Sequence, residues 1–152
     1  MHTRTTTRPI VIRGAHVVTM DAGRAEYRSG HVVVDGNRIV AVGDGEPLGY
    51  DDAQIVDGAG CILTPGLVNT HHHLYQWITR GLAVDHTLFE WLTTLYPIWG
   101  GIDADMVHVA AKGALAHLLK TGCTTSTDHH YVVPRDGGDV FGAEITAAAE
   151  VG

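Results

Sequence analysis

The chain has 152 residues, 45% hydrophobic and 18% charged, a composition that supplies a core and argues against disorder over most of its length. Its 17 acidic and 10 basic side chains give a formal net charge of −7, and no Lys/Arg cluster marks a phosphate-binding surface, so nucleic acid is a poor partner. Residues 1–14 lack the apolar stretch of a signal peptide, and nowhere do about 18 apolar residues run together, which points to a cytoplasmic protein without a membrane partner.

From the N-terminus to about residue 65, short strands separated by turns are expected at Ile10–Ile12, His16–Met20, His31–Val34, Arg38–Val42 and Gln54–Val56. The sharpest local signal is a hairpin through Asp35-Gly36, a dipeptide that tolerates positive φ, with β-branched residues on both sides. Cys61 and Cys123 stand alone in sequence, outside any CxxC pattern, and are expected as buried small hydrophobes.

After Pro65-Gly66 the pattern becomes strand, helix, helix, strand, helix. Thr87-Leu-Phe-Glu90 is a capping-box sequence. Leu88, Trp91, Leu92 and Leu95 follow at helical spacing, and Pro97 is expected to end the run. Asp103 can cap a second helix with Val107, Ala110, Ala111, Ala114, Leu115 and Leu118 on one face and Gly122 beyond its end. Strands are expected at Gly66–Thr70 and Cys123–Asp128, and a last helix from Gly142 to Gly152. Alternating strand and helix imply parallel βα units, of which eight close a barrel of about 250 residues. Residues 65–152 hold roughly two such units, so any barrel is incomplete in this chain.

The 11 histidines concentrate in two places, His71-His72-His73 and His129-His130, each at the C-terminal end of a predicted barrel-type strand. Such folds build their active sites at that end. Strand side chains alternate, so His71 and His73 project to one side and His72 to the other. Two neutral imidazoles side by side suit a divalent cation such as Zn²⁺ or Fe²⁺. The competing reading, three histidines in a polar surface turn, is weakened by the apolar segment that delivers them.

The segment Pro65-Gly66-Leu67-Val68-Asn69-Thr70-His71-His72-His73-Leu74 resembles the PG-x-x-(D/N)-x-H-x-H signature of the amidohydrolase superfamily. Four further segments, His73–Gln76, Leu88–Leu92, Tyr96–Trp99 and Gly122–Tyr131, are similar to the deaminase and aminohydrolase branch, most of all to 8-oxoguanine deaminases. The resemblance implies an α/β fold: residues 1–64 as an N-terminal β-sandwich portion, and residues 65–152 as the first two βα units of a metal-dependent (β/α)8 TIM barrel. It implies His71 and His73 as metal ligands, one divalent metal with zinc ahead of iron, and a metal-activated water that displaces ammonia from a small purine-like heterocycle of the 8-oxoguanine or guanine type.

Gln76 resembles the glutamine that guanine-type deaminases set against the purine edge, where an amide supplies both a donor and an acceptor; an exposed loop residue is the other reading. His129 and His130 are candidates for substrate contact or for backing the metal site, against a structural role in the loops, and strand alternation keeps both from facing the pocket. Asp128 reads equally as a loop support, and Trp77 and Trp91 as walls for a flat ring or as core.

The remaining metal ligands and the acid/base expected of the family fall beyond residue 152, so catalytic residues stay unassigned and the 152-residue chain alone is expected to be inactive. A triazine aminohydrolase or chlorohydrolase of the same superfamily and a non-catalytic truncated module are the alternatives. Homo-oligomers are common among the enzymes it resembles. The motifs of cytidine-deaminase-type and zincin enzymes are absent, as are the P-loop and the dinucleotide-binding turn.

Overall fold

A computed structural model describes residues 8–152. Residues 1–7, counted above with the first β portion and with the segment expected to carry no signal peptide, lie outside it. The chain divides between Pro65 and Gly66 into two compact units.

The first unit is a single five-stranded sheet, in the order β3-β2-β1-β4 with a short β5 also on β1. Its strands are β1 (Ile10–Val18), β2 (Glu26–Asp35), β3 (Arg38–Asp44), β4 (Gln54–Asp57) and β5 (Ile62–Leu63). The first two expected strands are one: Gly14, at φ 74°, takes up an irregularity that only a residue without Cβ accepts cheaply, and pairing with β2 resumes at Ala15. The hairpin forms as expected, with Asp35 opposite Arg38 and Gly36-Asn37 as its two linking residues. Ala15, Val17 and Val32 bury one face, packed by Tyr27, Val34 and Leu63, while Ile39, Val40, Ile55 and Ile62 stand exposed. Cys61 corrects the expectation of burial: it sits in the β4–β5 turn, its backbone tied to Gly58 and His16 and its side chain outward.

The second unit has a two-stranded parallel sheet, β6 (Leu67–Asn69) and β7 (Cys123–Ser126), a 3₁₀ turn at Leu74–Thr79, and the helices α1 (Leu88–Trp99), α2 (Ala104–Lys120) and α3 (Val140–Val151). Among the described residues no helix is long and apolar enough to cross a membrane. The Glu90 carboxylate accepts from both the N–H and the hydroxyl of Thr87, closing the expected cap, and these bonds hold Glu90 below the ordinary carboxylate range. Asp103 caps α2 by accepting from Met106 N at 2.9 Å, and Asp139 caps α3 through Gly142 N.

Pro97 does not end α1. The helix runs two residues further, to Trp99, because Trp99 and Leu95 are fully buried with Tyr75, Ile102, Val107 and Val140, and that packing outweighs the backbone bond the proline cannot make. Leu88, expected on the same face, is exposed instead. A second cluster, Leu74, Ala111, Ala114 and Ala147, seats the 3₁₀ turn and α3 on α2, with small side chains at the contact.

Gly66 fixes how β6 lies beside β7, since a Cβ there would overlap the side chain of Thr124. Gly66→Ala is expected to cost about 1–3 kcal/mol through overpacking, read as a lower midpoint of chemical unfolding.

Candidate metal centre

β6 ends at Asn69, so His71, His72 and His73 lie in the loop past the strand rather than on it. Two backbone bonds, Thr127 N to the Asn69 carbonyl at 2.9 Å and His129 N to the His72 carbonyl at 2.8 Å, carry the pairing with the β7 side past the end of the ladder. Asn69 accepts from His71 N at 3.0 Å through its side chain, and Asp128 Oδ1 accepts from Leu74 N at 2.7 Å. The loop that holds the histidines is therefore tied down at both ends.

Within it, His71 Nε2 and His73 Nε2 lie 3.2 Å apart. Two nitrogens sharing one zinc at about 2.0–2.1 Å sit roughly 3 Å apart at the angles zinc adopts, so the pair has the bite of a chelate. His73 Nδ1 donates to the His129 carbonyl at 2.7 Å, which places the proton on Nδ1 and leaves the Nε2 lone pair for a ligand. This donor set fits a divalent cation of the zinc type. His72 differs: its Nδ1 is buried with no partner among the described residues, and burial pushes its imidazole below the ordinary value, the Asp128 carboxylate opposing.

The other sequence candidates separate. The His129 ring stacks on His73 at 5.3 Å between centroids and lies 6.4 Å from His71, so these three imidazoles form one group. His130 turns away. Its side chain is 3% exposed, with Nδ1 at 2.8 Å from Glu144 Oε1 and Nε2 at 2.8 Å from the Val132 carbonyl. Gln76 donates from Nε2 to the Tyr131 hydroxyl at 2.8 Å and, more weakly, to that of Tyr75 at 3.3 Å. Burial pushes the Tyr75 phenol well above its usual value, so it stays neutral. His71, His72, His73, Gln76, Trp77 and Trp91 are among the residues that border an open cavity of about 590 Å³, and no carboxylate is among its described lining residues. Trp91 also packs edge-on to Trp99, so it is both wall and core.

Two residues escaped the sequence reading. Tyr131 was visible only inside a motif, although a phenol can orient a neighbouring amide. Glu144 left a clearer trace: with Val140 and Ala147 it lies at i, i+4, i+7 on the buried face of α3, where an acid needs a partner. That partner is His130, and Asp128 completes the cluster.

The amidohydrolase family model matches residues 62–150. Over 115 residues the chain is 46% identical to the 8-oxoguanine deaminase of Pseudomonas aeruginosa, an alignment covering 74% of this chain and 26% of that enzyme. It is 33% identical to the hydroxydechloroatrazine ethylaminohydrolase of Pseudomonas sp. (strain ADP), over 80% of this chain and 28% of the relative. Among solved structures, the atrazine chlorohydrolase of Arthrobacter aurescens complexed with zinc superposes with a TM-score of 0.81 at 30% identity, covering 93% of this chain and 33% of that one. The chain thus spans about a quarter to a third of the proteins it matches.

Proposed function

This chain belongs to the amidohydrolase family, and from that premise we propose that its protein is a metal-dependent hydrolytic deaminase of a purine-like heterocycle, 8-oxoguanine or guanine. The observation that carries the reading is the His71–His73 pair, two nitrogens at chelating distance with one ring locked in the ligand tautomer by the His129 carbonyl. His71 and His73 would hold the cation, zinc ahead of iron in keeping with the zinc of the chlorohydrolase. Such a cation supplies activation of water near neutral pH and polarisation of the carbon attacked.

The chain's own residues would orient the substrate. Because the Gln76 amide nitrogen is engaged by Tyr131, its oxygen is left to accept from a ring N–H. Trp77 and Trp91 border the same cavity and would wall it for a flat heterocycle, with the Arg80 guanidinium 4.7 Å over the Trp77 ring. Water adds at the amino-bearing carbon and ammonia leaves, a reaction that needs an acid/base. No carboxylate is among the described lining residues, and that group and the remaining ligands would come from further strand ends of a barrel in which β6 and β7 are the first two. The exposed Leu67 and Val68 of β6 suit a strand with further neighbours.

Solved triazine hydrolases superpose on this chain with TM-scores of 0.81 and 0.83 at 30% and 29% identity, so a triazine aminohydrolase or chlorohydrolase is the second reading. Ammonia release by the full-length protein from 8-oxoguanine, guanine and a hydroxytriazine separates the two. The proposal expects a kcat/KM at least about tenfold higher on a purine, about 1.4 kcal/mol in transition-state binding. Higher turnover on the triazine would overturn it.

A further inference from the structure

Three successive residues after β7 are anchored in three directions. Asp128 accepts from Leu74 N, His129 bonds the His72 carbonyl and the His73 ring, and His130 reaches α3 through Glu144. The His130 ring lies between Tyr75 and Phe141, with centroids at 4.7 and 5.3 Å, and both its nitrogens are held. It touches no part of the cavity. Since the Val132 carbonyl requires a proton on Nε2, one further proton lies between Nδ1 and Glu144 Oε1, whichever of the two owns it. Burial is the main cause of a raised Glu144 carboxyl. A buried polar pair is weak as a source of stability compared with apolar packing, but it fixes a ring in two directions at once. What it fixes here is the peptide whose carbonyl holds His73.

We propose that His130 and Glu144 are positioning residues for the metal ligand His73, acting through the main-chain carbonyl of His129. The assignment rests on reading His71 and His73 as ligands. Partners that orient a ligating histidine typically contribute about 10–100-fold in metal affinity. Glu144 would thus reach the metal through His130, one peptide and His73, without touching substrate or cation.

The test is the zinc dissociation constant of the full-length protein, by competition with a chelator well below its unfolding temperature, together with steady-state kinetics. Glu144→Ala is expected to weaken zinc binding about 10–100-fold and to lower kcat more than it raises KM. Glu144→Gln keeps an amide N–H that can donate to the unprotonated Nδ1 of a neutral His130, whose Nε2 proton stays on the Val132 carbonyl, and should remain within about threefold of the parent. Should Glu144→Ala not fold, His130→Phe keeps a ring between Tyr75 and Phe141 while removing both bonds, and the same loss of zinc affinity is expected. Parent-like zinc affinity in a folded Glu144→Ala or His130→Phe protein overturns the proposal, as does a Glu144→Gln protein as weak as Glu144→Ala. A His73→Ala control separates the two levels. If it still binds zinc like the parent, the ligand reading fails; if it loses zinc while Glu144→Ala does not, only the positioning role fails.

Discussion

On the proposed function, replacing His73 with alanine is expected to remove the divalent metal from the full-length protein and to lower kcat/KM for the proposed deamination by more than about 10³-fold, roughly 4 kcal/mol of transition-state stabilisation. The size follows from what one side chain does. His73 supplies a nitrogen 3.2 Å from that of His71 and is the ring held by the His129 carbonyl. His72→Ala is the matched control, one residue away and chemically identical. Its Nδ1 is buried and it takes no part in the 3.2 Å nitrogen pair, so metal content should stay at the parent level even if the unfolding midpoint falls. Metal analysis of the purified variants reads the difference directly. Equal zinc loss in both would mean that the cluster acts as a loop and not as two ligands with a bystander.

The alternation that separates His71 and His73 from His72 was legible in the sequence, though for a reason the structure modifies. The strand stops at Asn69, and the alternate arrangement persists because backbone bonds from Thr127 and His129 hold the next residues extended. The same parity applies at His129 and His130: one ring stacks on His73 and the other turns to Glu144. Caps were readable because they are local, as at Thr87 and Asp103. Pro97 was misread because its cost is local while the burial of Trp99 that overrides it is tertiary. The pairing of His130 with Glu144 spans 14 residues and two elements, and no period in the sequence links them. For the same reason, the role of a main-chain carbonyl in holding His73 leaves no mark on residue type at all.

Trp99 carries the second large effect. It is fully buried, packs edge-on to Tyr75, Trp91 and Tyr96 with centroids 5.6, 5.0 and 5.5 Å away, and donates from Nε1 to Thr79 Oγ1 at 3.0 Å. Trp99→Ala is expected to cost about 3–5 kcal/mol, since the cavity cannot close over a lost indole while three rings remain around it. The measurement is the shift of the denaturant midpoint in the full-length protein. Trp99→Phe distinguishes packing from the hydrogen bond, because it keeps a ring but leaves the Thr79 hydroxyl without its donor, for about 1 kcal/mol beyond the lost volume. That hydroxyl also donates to the Gln76 carbonyl at 3.0 Å, so the indole is two bonds from the residue assigned to the substrate edge. The phenylalanine variant should therefore fold, hold zinc like the parent and show a raised KM with little change in kcat. A parent-like KM would confine Trp99 to the core.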